Sequence, residues 1–211
     1  MEQLPGFLGE VAAVVLPALE TLDIALAGGN GLRAHGVTTR PSNDLDTYSA
    51  SFETAIYEQA GQLVLDAARA AGWNAELEIA SDWFRGITIW RPGTNPERDS
   101  VGIDIGQEYR TRSAQRMARG GLVMDLDDIS AGKCRALCDR REAHDFADVA
   151  CLLTHPGWNL DRLYANAKTA VPNLTLDEFR NLLHSVDSLS DRELDETGVS
   201  ANFIRSVLRH V

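Results

Sequence analysis

The stretch that most constrains the fold is Ala25 to Ser49, ALAGGNGLRAHGVTTRPSNDLDTYS. It reads as a short apolar strand, Asp23 to Ala27, broken at Gly28-Gly29, then a short helix over Asn30–His35 that Gly36 stops. Arg40-Pro41-Ser42-Asn43 leads into a second strand opened by Asp44-Leu45-Asp46. Side chains alternate along a strand, so the two carboxylates point the same way. Like charges that close repel, and a hard cation such as Mg²⁺ relieves them through oxygen ligands. Glycines let a backbone approach a ligand closely, and N–H groups at a helix start favour anions. A phosphate cradle and a metal-holding acid pair, about fifteen residues apart, make two halves of a phosphoryl-handling site. The plain alternative is a common Gly-Gly turn beside an Asp-x-Asp that only caps a strand edge. The order of the parts, with Arg40 and Ser42 just before the acids, favours the functional reading.

Composition sets the limits. The 211 residues can bury a substantial core, as one domain or two small lobes. A formal charge of −11 argues against broad binding to nucleic acid, which runs on counterion release, but allows a local basic patch. Cys134, Cys138 and Cys151 give no disulfide framework and no zinc spacing, and read as reduced core thiols of a cytoplasmic protein. No apolar run is long enough to cross a membrane; the longest near the start, Val11 to Leu19, contains Pro17.

Along the chain, Phe7 to Leu22 reads as a helix with Pro17 inside it, and Glu53 to Ala71 as an amphipathic helix ended by Gly72. Three strand-like runs follow, Trp73–Ala80, Phe84–Trp90 and Val101–Ile105. In the last, VGIDI, Asp104 is the lone charge among apolar residues and needs a partner. A nearby arginine would serve; so would a metal shared with Asp44 and Asp46, since two-metal phosphoryl transfer needs a further carboxylate. Eight of the twenty basic residues lie between 110 and 141. Arg112, Arg116 and Lys133 belong to this set, which makes either an anion-facing wall or a solvated run paired with Asp125, Asp127 and Asp128. Asp145 and Asp148 open a helix to Leu153; Asp148 is expected to pair with an arginine, while Asp145 is open between structure and site. From Trp158 onward the pattern is helical: Leu160–Thr169, Leu176–Val186 and Ala201–His210. The expected architecture is α/β (α+β): an N-terminal lobe with a small mixed sheet over 1–121, an all-helical lobe over 122–211, and a site in the cleft between them.

Gly28-Gly29-Asn30 through Arg40-x-Ser42-x-Asp44-x-Asp46 resembles the first motif of the AbiEii/MenT-type nucleotidyltransferase-like toxins, of the DNA polymerase β-type nucleotidyltransferase superfamily. Lys133 to Leu153, KCRALCDRREAHDFADVACLL, is similar to that family's later motif. The two cover about a fifth of the chain. His144 stands where Arg usually precedes Asp145, and Asn30 where Thr or Ser is more usual. The resemblance implies a nucleotidyltransferase lobe followed by a helical lobe. It gives Asp44, Asp46 and Asp104 as ligands of Mg²⁺ (or Mn²⁺), with Asp104 supplied by a later strand. Gly28, Gly29, Asn30, Arg40, Ser42 and Lys133 would hold an NTP, with Asp145, Arg112 and Arg116 as further candidates. It also implies a bacterial toxin of a toxin–antitoxin pair, transferring NMP, pyrimidine above all, to a tRNA 3′ end, with a cognate antitoxin as partner. Two alternatives stand beside it: the same chemistry on a small molecule such as an aminoglycoside, or a catalytically silent binding protein of the same fold.

Overall fold

Turn residues and caps set most of the element boundaries. A computed structural model of the chain describes residue 4 and residues 6–211. α1 (Gly6–Leu19) buries Val11, Ala12, Val15, Leu16 and Leu19 and continues through Pro17. A short 3₁₀ turn over Glu20–Leu22 leads to Asp23, whose φ of 52° turns the chain into β1 (Ala25–Leu26). α2 (Gly28–Ala34) starts directly after β1, and β2 (Asp44–Ser49) opens on the first acid of the Asp-x-Asp pair. α3 (Thr54–Ala70), β3 (Asn74–Ser81) and β4 (Phe84–Trp90) follow. α4 (Pro96–Asp99) is capped by Asn95 and leads into β5 (Ser100–Gln107); β6 (Gln115–Arg116) and β7 (Leu122–Val123) complete the strands.

These strands form one mixed sheet in the order β3-β4-β5-β2-β1-β7-β6. β2 pairs parallel to β5, and β1 parallel to β7; the other neighbours are antiparallel. This is the mixed sheet expected, extended at one edge by β6 and β7, two-residue strands with no readable alternation. One face of the central strands is apolar: Leu45, Ile87, Ile89, Ile103 and Ile105 are fully buried there, and α1 and α3 pack on it. Alternation then dictates that every second residue of β2, β4 and β5 points to the opposite face. That face carries the polar chemistry.

The helical elements are α5 (Leu126–Asp139), α6 (Ala143–Thr154), α7 (Leu160–Ala170), α8 (Leu176–His184), α9 (Asp191–Asp195) and α10 (Ala201–Leu208). Their apolar sides meet through Leu137, Phe146, Val149, Leu163, Phe179, Leu183 and Ile204, all fully buried. α8 and α9 each begin with a reciprocal capping box, Thr175 with Glu178 and Ser190 with Glu193. The chain divides into two compact units: the sheet unit runs to His35 and resumes over 42–125, and the helical unit takes 36–41 and 126–211. Division after residue 121 was expected; Leu122 and Val123 go with the sheet because they pair with β1. The segment 36–41 goes with the helices because Arg40 and Thr38 have their partners on α6.

Candidate active site

Parallel pairing of β2 with β5 sets Asp46 directly opposite Asp104, and Asp44 opposite Gly102. Opposed residues share a face, and so do residues two apart on one strand. All three carboxylates therefore leave the sheet on the same side. Thr47, on the other face, donates from Oγ1 to the Asp104 carbonyl at 2.8 Å and holds the two strands in this register.

Asp104 has no ion pair among the described residues. Its pKa is raised from 3.8 to about 6, first by burial and then by the charges of Asp46 and Asp44. The alternative expected for this residue, a salt bridge to an arginine, is not what the geometry contains. Three carboxylates on one face are a donor set suited to a hard divalent cation. The glycines around them make room. A Cβ on Gly28 would lie 1.8 Å from Asp46 Oδ2, and Gly28 also has φ +58°. A Cβ on Gly102 would lie 2.6 Å from Asp44 Oδ1. Any side chain at either position would push an acid out of place.

Asn30 has a different use from the one expected. Its Nδ2 donates to the carbonyls of Asp44 at 2.7 Å and Ser42 at 3.3 Å. Both amide hydrogens are thus spent bracing the start of β2, and Oδ1 is buried without a partner. The side-chain amide expected on a phosphate is therefore committed to the backbone. Ser42 enters the network through its carbonyl.

The helical unit holds the other candidates. Asp148 is fully buried and takes both Arg40, from Nε at 2.5 Å and Nη2 at 2.7 Å, and Lys133 from Nζ at 2.7 Å. Despite its burial, Asp148 is held below the usual carboxylate range by these two cations. Two positive groups against one negative group leave a surplus of positive charge. Asp145, also fully buried, accepts from Arg140 Nε and Nη2 at 2.9 Å each. Glu142, His144 and Asp145 bring their donor atoms within 4.8 Å of one another, the tightest such group among the described residues. Arg140 already supplies the cation there.

The basic wall expected over 110–141 is largely paired. Arg110 bonds Asp23 at 2.6 Å, Arg112 faces Asp125 at 3.5 Å, and Arg116 pairs with Glu20. Arg112 and Arg116 still show solvent 58% and 74% of their side chains, so they remain able to meet a second anion.

A sequence model of the nucleotidyl transferase AbiEii toxin, of a type IV toxin–antitoxin system, matches residues 15–202. The chain belongs to the AbiEii nucleotidyl transferase toxin family. It is accordingly a nucleotidyltransferase of the toxin class. The fold is similar to that of MenT4, a nucleotidyltransferase toxin from Mycobacterium tuberculosis H37Rv, with a TM-score of 0.66 at 14% identity, covering 96% of this chain and 84% of that one. It is also similar to JHP933 from Helicobacter pylori, with a TM-score of 0.57 at 17% identity, covering 96% and 89%. A search of curated proteins finds no significant match. No helix among the described residues is long and apolar enough to cross a membrane.

Sequence reading missed one feature of this face. The period of two that links Asp44 to Asp46 runs on to Tyr48, and the one through Asp104 runs through Gly102 and Gly106. Those residues share the carboxylate face for the same reason the acids do.

Proposed function

We propose that this AbiEii-family enzyme is Mg²⁺-dependent and transfers a nucleoside monophosphate from an NTP, a pyrimidine nucleotide above all, to the 3′ end of a tRNA, with pyrophosphate leaving. The observation that carries the reading is the row of Asp46 and Asp104, with Asp44 on the same face, beside the Gly28 turn. Asp44, Asp46 and Asp104 would hold the ion, which when bound offsets their charge and activates the acceptor hydroxyl. Gly28 and Gly29 offer backbone N–H groups to the triphosphate. The surplus positive charge of Arg40 and Lys133 over Asp148 is suited to a phosphate. Chemistry of this kind is positioning and electrostatics, and no covalent nucleophile is needed. The toxin–antitoxin context of the family supports a cognate antitoxin as partner and a cytoplasmic setting.

A small-molecule acceptor is the second reading. It is favoured by the net charge of −11 and by the pairing of Arg110, Arg112 and Arg116 with acids. Incubation with each labelled NTP, Mg²⁺ and total RNA decides between them. The expected result is one labelled band of tRNA size, lost on omitting Mg²⁺ and lost with Asp46→Ala. Full turnover by a folded Asp46→Ala protein removes the carboxylate assignment, and labelling of an aminoglycoside but no RNA removes the acceptor.

A further inference from the structure

The register of β2, β5, β4 and β3 lays out rows across the carboxylate face. One row reads Asp46, Asp104, Gly86, Ile79; the next reads Tyr48, Gly106, Phe84, Ser81. Ile79 belongs to this face because pairing shifts between Leu77 and Ile79; the slip turns an apolar residue of an edge strand toward the acids.

The glycines in these rows are covered by their neighbours. A Cβ on Gly106 would sit 2.9 Å from Tyr48 Cε1, so the tyrosine ring lies over that glycine. Phe84 reaches Gly86 with Cε1, at 3.4 Å from the position of a Cβ, and Gly106 with Cδ2, at 3.7 Å. Opposite edges of one ring touching two glycines mean that the ring is laid down along the sheet. Ile79 Cβ meets Gly86 from the other side at 3.4 Å. Tyr48, Phe84 and Ile79 thus form a low apolar shelf starting one strand step from the acids. Ile79 is 56% exposed, and beyond the strand ends Phe52 and Trp83 are 69% and 51% exposed.

We propose that this shelf is the subsite for the terminal nucleobase of the RNA acceptor. The inference rests on Asp44, Asp46 and Asp104 being the reacting carboxylates. The two flanks of those acids differ. The Gly28 turn adjoins Asp46 from the β1 side, which is the flank for the donor's phosphates. Phe84 and Ile79 carry the shelf toward β4 and β3, with Tyr48 at its β2 end, and neither of its rows contains a basic residue that would take a phosphate. It offers ring faces and an isoleucine, which match a flat uncharged base and not a polar amino sugar. The span fits as well: two residues along a strand is about 7 Å, comparable to the reach of a nucleotide from its 3′-hydroxyl to its base.

The test uses two RNA acceptors identical except that one lacks its terminal base while keeping the 3′-hydroxyl. With the unaltered protein, loss of the base is expected to raise acceptor KM by roughly 5- to 150-fold, with kcat changing less. Phe84→Ala and Ile79→Ser should raise KM for the intact acceptor but add little to the abasic one, and Phe84→Trp should restore a stacking face. Direct NTP binding controls for folding. Equal damage by Phe84→Ala on both acceptors, or no penalty for the missing base in the unaltered protein, overturns the shelf while leaving RNA transfer standing. A protein that labels a small amino sugar and no RNA overturns both the shelf and the acceptor reading.

Discussion

Asp104→Asn should make the metal-free protein more stable while removing its activity. The carboxyl sits between burial and two like charges, and its pKa rises from 3.8 to about 6. A raised carboxyl pKa means that the folded state binds the proton more tightly than the unfolded one. Ionising it therefore costs stability, a cost absent below about pH 4 and complete above about pH 6. At 1.36 kcal/mol per unit the shift amounts to roughly 3 kcal/mol. Water over a half-exposed group screens part of this, leaving about 1–2 kcal/mol at pH 7.5. Asparagine keeps the shape without the charge. For a protein of this size, thermal melts in chelator should rise by about 2–8 °C at pH 7.5 and converge with the unaltered protein near pH 4. Mg²⁺ should stabilise the unaltered protein and do little for the variant, since ligand binding to the native state adds RT ln(1 + [L]/Kd). A melt in chelator that falls on Asp104→Asn would refute the reasoning, because it would mean that the carboxylate is stabilised by a partner.

The opposite outcome is expected at Asp148. Asp148→Ala leaves Arg40 and Lys133 buried without their acid and should cost roughly 3–5 kcal/mol in denaturant unfolding; a loss below about 1 kcal/mol would show the pair to be solvated. Gly28→Ala should lower kcat on the order of 100-fold by displacing Asp46, and near-normal turnover would separate that glycine from the acids. Replacing Arg112 and Arg116 together with alanine should raise RNA acceptor KM and flatten its salt dependence by about one unit of slope per lost phosphate contact. KM unchanged at two salt concentrations would assign both arginines to Asp125 and Glu20 alone.

The period of two made the carboxylate face legible before any coordinates. Asp44, Asp46 and Asp104 each lie on a strand whose opposite face is apolar, and β4 begins and ends where its alternation does. Two-residue strands carry no period, so β6 and β7 could not be read. α9 is short, and its Ser190-x-x-Glu193 box lies in the sequence between the helices expected at Leu176–Val186 and Ala201–His210. The bond from Asn30 to the Asp44 carbonyl spans fourteen residues, and that from Arg40 to Asp148 spans 108. Neither leaves a local trace, because residue type says that a donor exists and not where it is spent.

The membership of residues 36–41 in the helical unit has a consequence for how the chain is made. Neither unit is a continuous length of polypeptide, so neither can be cut out whole. During synthesis, Arg40 emerges long before the aspartate that will hold it. The helical unit therefore cannot finish its buried ion group until α6 has been made, and closing so long a loop is slow. A fragment starting at Leu126 would present Asp148 with Lys133 alone. The sheet unit has all its residues once Asp125 is made, so the acidic strands precede the charged helical group, and a chain clipped before Asp148 lacks that group.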